Sequence, residues 1–498
     1  MRLLKNFPLF VILVSVFFVF HGYTAHYKIV SPGPASLLLL QYIVFSVLLA
    51  GIFYLLYRNL NKAALTTLFI LSFNYFFGPV HDLLKSMSGN NGILARYSVT
   101  LPVSAIILIA ICICLKRSKR TFYRTSLYLN YLFLLLILID AGVYVYRVVT
   151  ERNDEYFTST PLEFSKCDTC IKPDIYLILV DEYAGQTQLK EQLNFDNSPF
   201  LTDLASRGFH VVPNSTSNYN YTHHSMASLL AMEYLAQVKV DEPGYDDLAG
   251  PLGIIKKSRA VKYLRQEGYS FYNYSLFDFA GNLSPAKPTF LPLNSIMITS
   301  QTFINRVQKD MGYYFFKKFN MKKSLDNLYY TDRDNNEKIL DLTKKIAATK
   351  TRKPKFVYSH LVMPHYRYYY DSVGKEVPIE KVIDDAFCKD KKGYTSYLQY
   401  TNKKLLALVD NILHSSTTPP VIMLLSDHGY RQFHSWEDSA GMDRKYYFMN
   451  LNAIMIPGKN YQGFYDSVSN VNQFRVLFNT LFKQKFPLLK DSATYIPH

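Results

Sequence analysis

Five apolar stretches fill most of the first 150 residues of this 498-residue chain: Phe7–His21, Leu37–Tyr57, Ala63–Phe77, Val99–Leu115 and Leu127–Val149. Crossing the hydrocarbon core of a bilayer takes about 20 predominantly apolar residues of helix, and each stretch meets or approaches that length. The first resembles a secretory leader in its hydrophobicity. It lacks a small-x-small cleavage site, however, and four more spans follow it, so it reads as an anchor. Residues 1–149 are therefore expected to form an all-α transmembrane domain of five helices.

Lysine and arginine placement orients such a bundle. Arg2, Lys5, Arg58, Lys62 and the cluster Lys116, Arg117, Lys119, Arg120 and Arg124 fall on one side, while Lys28, Lys85 and Arg96 fall on the other. The more basic side is cytoplasmic. The protein is thus expected to be multi-pass in the cytoplasmic (inner) membrane. Its N-terminus would face the cytoplasm, and everything after about residue 150 would be extracytoplasmic, in the periplasm or its equivalent. The formal charge of +16 fits basic flanks of spans and a phosphate-rich or acidic-lipid partner. No nucleic-acid module accompanies it, so nucleic acid is not an expected partner. Asp140, inside the fifth span, is a functional candidate by default; a place near the outer interface or facing a polar bundle interior is the favoured reading. Internal repeats of the transporter kind are not seen.

Residues 150–172 are polar, with Pro161, and read as a linker. They hold Cys167 and Cys170 in a C-x-x-C. Cys388 does not supply the second pair a zinc site would need, so a small local disulfide or two free thiols remain.

From residue 173 to 498 the pattern changes to strands alternating with helices, the signature of one α/β domain with a mostly parallel sheet. Strands are expected at Ile175–Val180, Phe209–Val212, Tyr269–Tyr274, Phe356–Tyr358, Val421–Leu425 and Asn452–Ile456. Helices are expected at Pro199–Gly208, Ala260–Glu267, Leu398–Leu413 and Val471–Phe482. The stretch from Ser275 to about Glu337 is poorly patterned and reads as an insertion or substrate-facing excursion.

Two of these strands end alike. Ile175–Val180 is a continuous apolar run stopped by Asp181 and Glu182; Val421–Leu425 is another, followed by Ser426, Asp427, His428 and Gly429. Runs of this kind are buried parallel strands, and ligands of open α/β sheets sit beyond the strands' carboxyl ends. Carboxylate and imidazole together suit a divalent metal such as zinc or manganese, and Gly429 permits a tight turn after them. Between the two strands, Thr222 falls near the start of an apolar helix. Its hydroxyl there is either a metal-activated nucleophile or, like Asn220, an ordinary helix cap. His365, in a loop after a strand, could bind an anionic ester oxygen or protonate a leaving group, and Arg367 could pair with a phosphate; the alternative for both is an ordinary loop residue. His434 is a further substrate-side candidate, for a second metal or for leaving-group protonation. His360 reads as buried and structural.

The order Asp…Thr…His…Asp-His-Gly resembles the alkaline phosphatase and sulfatase superfamily, in its membrane-anchored, sulfatase-like branch. The matching segments are Pro-Asp-Ile-Tyr-Leu-Ile-Leu-Val-Asp at the first strand, Ser-Asn-Tyr…Thr before the helix, Pro-His after the middle strand, and Ser-Asp-His-Gly. Phosphoethanolamine transferases and lipoteichoic acid synthase share this layout. The resemblance covers about residues 173–490 and implies an alkaline-phosphatase-like fold. It also implies that Asp181, Thr222, Asp427 and His428 hold one divalent metal, with Thr222 as nucleophile and His365 at the transferred group. Glu182, in the place of the second acid of the sulfatase Asp-Asp pair, is a further ligand candidate. The Cys/Ser-x-Pro-x-Arg motif of true sulfatases is missing, which favours phosphate over sulfate chemistry.

The expected activity is transfer of a phosphorylated headgroup, of phosphoethanolamine or phosphoglycerol type, from a membrane lipid to an envelope glycan or lipid. Zn, Mn, Mg and Ca are all open as the metal, as is the oligomeric state. Two alternatives stand beside this: a sulfuric or phosphoric ester hydrolase of the same fold, and a non-catalytic membrane protein that binds envelope polymer.

Overall fold

The computed structural model describes residues 7–88, 92–150, 162–236, 248–286, 295–431 and 443–496. The chain divides into two compact units, Met1–Asp154 with Phe290–Leu325, and Glu155–Thr289 with Asp326–His498.

The first unit is helical: α1 (Phe10–Ala25), α2 (Pro32–Tyr57), α3 (Leu60–Ser88), α4 (Tyr97–Arg117) and α5 (Tyr123–Thr150). The last four are long and apolar enough to cross a membrane, whereas α1, with 16 residues, is shorter. Phe10, Val11 and Val14 of α1 pack with Ala64, Leu71 and Tyr75 of α3 and Phe133 of α5. Several polar groups inside this apolar packing pair with one another, which offsets the cost of their burial. Ser15 Oγ meets Tyr75 Oη at 2.7 Å and Ser46 Oγ at 2.8 Å, and Asn130 Oδ1 accepts from Phe10 N at the start of α1. Asp140 is buried and faces His21 of α1 at 3.1 Å, so its partner is another side chain of the bundle.

The same unit contains part of the stretch that looked poorly patterned. Ser295–Thr299 and α6 (Phe303–Lys318) are helices that belong with the N-terminal bundle. Pro79 lies inside α3, where it supplies no N–H to the helix. There the Gly78 N–H donates to Gln301 O at 2.8 Å. Gly78 is required by this approach, because a Cβ would lie 2.6 Å from that carbonyl oxygen.

The second unit is built on a six-stranded sheet: β1 (Ile175–Val180), β2 (His210–Val211), β3 (Ser270–Tyr274), β4 (Lys355–Leu361), β5 (Val421–Ser426) and β6 (Asn452–Met455), in the order β2-β6-β5-β1-β4-β3. β3, β4, β1 and β5 are parallel; β6 runs antiparallel to β5, and β2, at the edge, is antiparallel to β6, so β6 alone is reversed. β1 is central and every residue of it is buried, which explains its unbroken apolarity. Cutting Leu177 to Ala there would cost about 2–5 kcal/mol.

Helices cover both faces. Successive strand residues point to opposite sides, and on β4 Ser359 meets Thr343 of α7 (Thr331–Ala348) at 2.6 Å. Phe356, on the other face, packs edge-on against Phe474 of the C-terminal helix Gln473–Phe482. Val180 pairs with Ser426 and with Leu361. The three central strands therefore end level, and the residues after each emerge at one edge.

Candidate active site

Level strand ends put Asp181 directly after β1 and Asp427 directly after β5. The carboxylates of both, with a ring nitrogen of His428, lie within 4.8 Å of one another, and all three residues are buried. Among the described residues this is the one such cluster. Asp181 Oδ1 and Asp427 Oδ2 are buried without a hydrogen-bond partner. Two orphaned carboxylate oxygens beside an imidazole are costly unless a cation satisfies them. The donor set of oxygen and nitrogen fits a divalent metal.

The surrounding hydrogen bonds hold these ligands rigidly. Asp427 Oδ1 accepts from Glu182 N (3.0 Å) and His428 N (2.9 Å). His360 Nε2 lies 3.3 Å from Asp181 Oδ2, and its other nitrogen meets Tyr358 Oη at 3.1 Å. The buried histidine expected to be structural thus also orients a site carboxylate. His428 Nδ1 is 2.8 Å from Gly429 O, which leaves Nε2 facing the cluster.

Electrostatics follow from this crowding. Burial, and then the Asp427 charge, push the Asp181 carboxyl well above the usual range. Asp427 is buried too, but the nearby His428 and His360 and its backbone N–H bond bring it below that range.

Thr222 opens the helix Thr222–Ala231, which packs beside the end of β5. Its Oγ1 lies 3.4 Å from His428 Nε2. Asn220 is engaged with Ile496 through both its amide atoms, so neither residue is spent as a cap in the way the alternative reading supposed. One turn into this helix, Ser225 Oγ donates to Asp427 O at 2.6 Å and ties it to the residues after β5. His223 and His224 follow Thr222 and are buried. Burial, with help from His224 and Arg431, takes His223 well below the usual histidine range, and burial brings His224 to about 3, so both rings are neutral.

Glu182 has φ +58, in the left-handed region, a conformation that costs a non-glycine residue of order 1 kcal/mol. Tyr394 holds the turn: its hydroxyl donates to Glu182 O at 2.8 Å and accepts from Ala184 N at 3.0 Å. The Glu182 carboxylate accepts from Arg431 N at 2.8 Å and lies 3.7 Å from His365 Nε2. It faces these two residues, whereas the metal-capable cluster is made by Asp181, Asp427 and His428. Burial alone would depress His365, but the charges of Glu182 and Asp181 outweigh it and raise its pKa. Arg367 lies over the ring of Tyr329, 4.8 Å from its centroid. His434 falls outside the described residues.

Sequence reasoning missed Arg431. Its guanidinium stacks on Tyr221 at 4.4 Å, one residue before Thr222, and its Nε is buried without a partner. Its charge acts on Asp181, His223, His365 and His428. The only signal was a cation two residues past Gly429. Gly429 itself does not adopt a positive φ. A Cβ there would lie 2.3 Å from Tyr446 O and 2.6 Å from Met449 O, so close backbone approach, rather than the tight turn expected, demands glycine.

No family model and no curated protein matches the sequence. Solved structures do resemble it. The C-terminal periplasmic domain of EptC from Escherichia coli is 13% identical, with a TM-score of 0.39, over 65% of this chain and 86% of that one; it is also known in complex with Zn. The C-terminal periplasmic domain of phosphoethanolamine transferase EptC from Campylobacter jejuni is 13% identical, with a TM-score of 0.35, over 64% and 92%. BT1596, a 2-O GAG sulfatase, is 13% identical, with a TM-score of 0.39, over 65% and 73%. This chain is similar to transferase and sulfatase domains.

Proposed function

We propose that this chain is a membrane-anchored enzyme that transfers a phosphorylated headgroup, of phosphoethanolamine or phosphoglycerol type, from a lipid to a hydroxyl of an envelope glycan or lipid. The observation that carries this reading is the Thr222 hydroxyl at a helix N-terminus, 3.4 Å from His428 Nε2 and beside the buried Asp181–Asp427–His428 cluster. Asp181, Asp427 and His428, with Thr222 as a fourth ligand, would hold a divalent cation, which would supply Lewis acidity and lower the hydroxyl's pKa.

Thr222 Oγ1, its proton lost to water, attacks the phosphorus of the donor diester. The bond from phosphorus to the lipid glycerol oxygen breaks, His365 gives that oxygen a proton, and the headgroup is left as a phosphodiester on Thr222. The acceptor hydroxyl then attacks the same phosphorus and returns a proton to His365; the bond from phosphorus to Thr222 Oγ1 breaks, and Thr222 regains its proton from water. Arg431 pairs with the non-bridging oxygens throughout. The N-terminus of the Thr222–Ala231 helix, with its partial positive charge, favours the same anion. The disulfide between Cys167 and Cys170 supports an oxidising, extracytoplasmic compartment for this unit.

The test is incubation of the full chain with a headgroup-labelled phospholipid and mass analysis of the Thr222 peptide. A headgroup-sized adduct that vanishes in Thr222→Ala supports the reading, and undiminished turnover by Thr222→Ala overturns it. Release of sulfate or inorganic phosphate without transfer would replace it with the hydrolase reading. No turnover together with no bound divalent ion would leave a polymer-binding protein.

A further inference from the structure

We infer that α6 is an interfacial helix, which lays one apolar face on the non-cytoplasmic surface of the bilayer beside the spans of its own unit. The inference rests on the reading of α2–α5 as membrane-crossing helices.

One side of α6 is fixed to α3 and α4. Phe303 packs against Phe73 and Phe77, each at 5.0 Å between ring centroids. Arg306 forms an ion pair with Asp82 and donates to Gln301 Oε1 at 3.0 Å. Tyr97, the first residue of α4, donates to Asp310 Oδ2 at 2.5 Å. These attachments set the depth of the helix. Lys62 marks the basic end of α3, and Asp82 lies about 20 residues beyond it, or roughly 30 Å along a helix, which is the thickness of the hydrocarbon core. The docking point is thus at the far interface.

Most of the remaining face is apolar and uncovered within this unit, with Gln308 as its one polar interruption. Ile304, Met311, Phe315 and Phe319 recur at helical spacing, and Tyr314 adjoins them; Tyr314, Phe315 and Phe319 are 73%, 53% and 59% exposed. An exposed aromatic stripe would be a liability in water. Lys318, Lys322 and Lys323, all exposed, follow in the last turn and the next helix. A stripe of bulky apolar residues bordered by lysines is how a helix lies in the headgroup region, with ammonium groups at the phosphates. Continuity with the lipid-facing spans selects the bilayer over a protein partner, and the lysines favour an anionic phospholipid surface.

The chain has one tryptophan, Trp436, so a W436F background makes new tryptophans specific reporters. F315W, Y314W, I106W and V373W are placed singly in the full-length protein and reconstituted into vesicles of phosphatidylethanolamine and phosphatidylglycerol, with or without brominated acyl chains. Ile106 is 65% exposed on α4, and Val373 is 77% exposed in the second unit. Blue-shifted emission and about twofold quenching by brominated lipid are expected for F315W and Y314W, as for a residue at the acyl boundary, with V373W unaffected. If I106W is quenched while F315W and Y314W behave like V373W, α6 does not touch lipid and the inference fails alone. Blue-shifted but unquenched emission that depends on protein density would overturn it in favour of a second copy. If I106W too is unquenched, the membrane reading fails and the inference with it.

Discussion

The Glu182 backbone N–H donates to Asp427 Oδ1 at 3.0 Å, so the residue just past one site acid grips the other. This bond ties the two strand ends together, while Asp427 Oδ2 and Asp181 Oδ1 have no hydrogen-bond partner. Two such carboxylates in one buried cluster repel when no cation is present. Asp181→Asn should therefore raise the melting temperature of metal-free protein by about 1–2 degrees, the effect of roughly 1 kcal/mol in a chain of this size. Excess zinc should stabilise the parent by about 2.7 kcal/mol at a hundred times its dissociation constant, and the variant by far less. A lower metal-free melting point for Asp181→Asn, or equal zinc stabilisation of both proteins, would sink the metal assignment.

Thr222 separates binding from chemistry. Thr222→Ala should lose roughly three or more orders of magnitude in turnover, as loss of a nucleophile does. It should keep most of the zinc stabilisation, because Asp181, Asp427 and His428 remain. Thr222→Ser retains a hydroxyl and should still form the adduct. Measuring melting with zinc alongside transfer resolves the two; a Thr222→Ala protein that neither binds metal nor turns over would make Thr222 a ligand first.

The two buried strands were legible because burial on both faces removes alternation, and an acid at the end of such a run stands out. The reversed direction of β6 was not, since an apolar run reads the same whichever way it pairs. The segment around α6 was obscured for another reason. Its apolar stripe is mixed with Lys, Asn and Tyr, and its surroundings are other helices and, by inference, lipid, so it never acquired the clean polar face of a helix on a water-facing sheet. His360 was correctly expected to be buried; its hydrogen bond to Asp181 depends on β4 lying next to β1, which spacing does not reveal.

Gly429 offers a test of the backbone packing. A Cβ would meet the Tyr446 and Met449 carbonyl oxygens at 2.3 and 2.6 Å, neither of which can swing away as a side chain would, and the Gly429 N–H bond to Tyr447 O is also at stake. Gly429→Ala should cost about 1–3 kcal/mol or more and disturb His428. Gly253, helical and with nothing within 4 Å of the place a Cβ would take, is the control: Gly253→Ala should stabilise by roughly 0.5–1 kcal/mol. Thermal melts of both in the same detergent decide it, and a neutral Gly429→Ala would contradict the packing.

Arg431 is the site's one fixed cation among the described residues near Thr222. It is stacked on Tyr221 and held by its backbone bond to Glu182. Its partnerless Nε suits an oxyanion, and the planar guanidinium suits two oxygens at once. Arg431→Ala should weaken competitive inhibition by inorganic phosphate about 10- to 100-fold, the equivalent of roughly 1.5–3 kcal/mol for a charged hydrogen bond, and raise KM for the lipid donor. Arg431→Lys should rescue little, because an ammonium neither stacks on Tyr221 nor binds bidentately. Tyr221→Leu, which removes the stack and keeps the cation, should lose only about 0.5–1 kcal/mol. If Arg431→Ala lowers kcat but leaves phosphate inhibition intact, the guanidinium acts through its stack on Tyr221, next to Thr222, and not on the substrate.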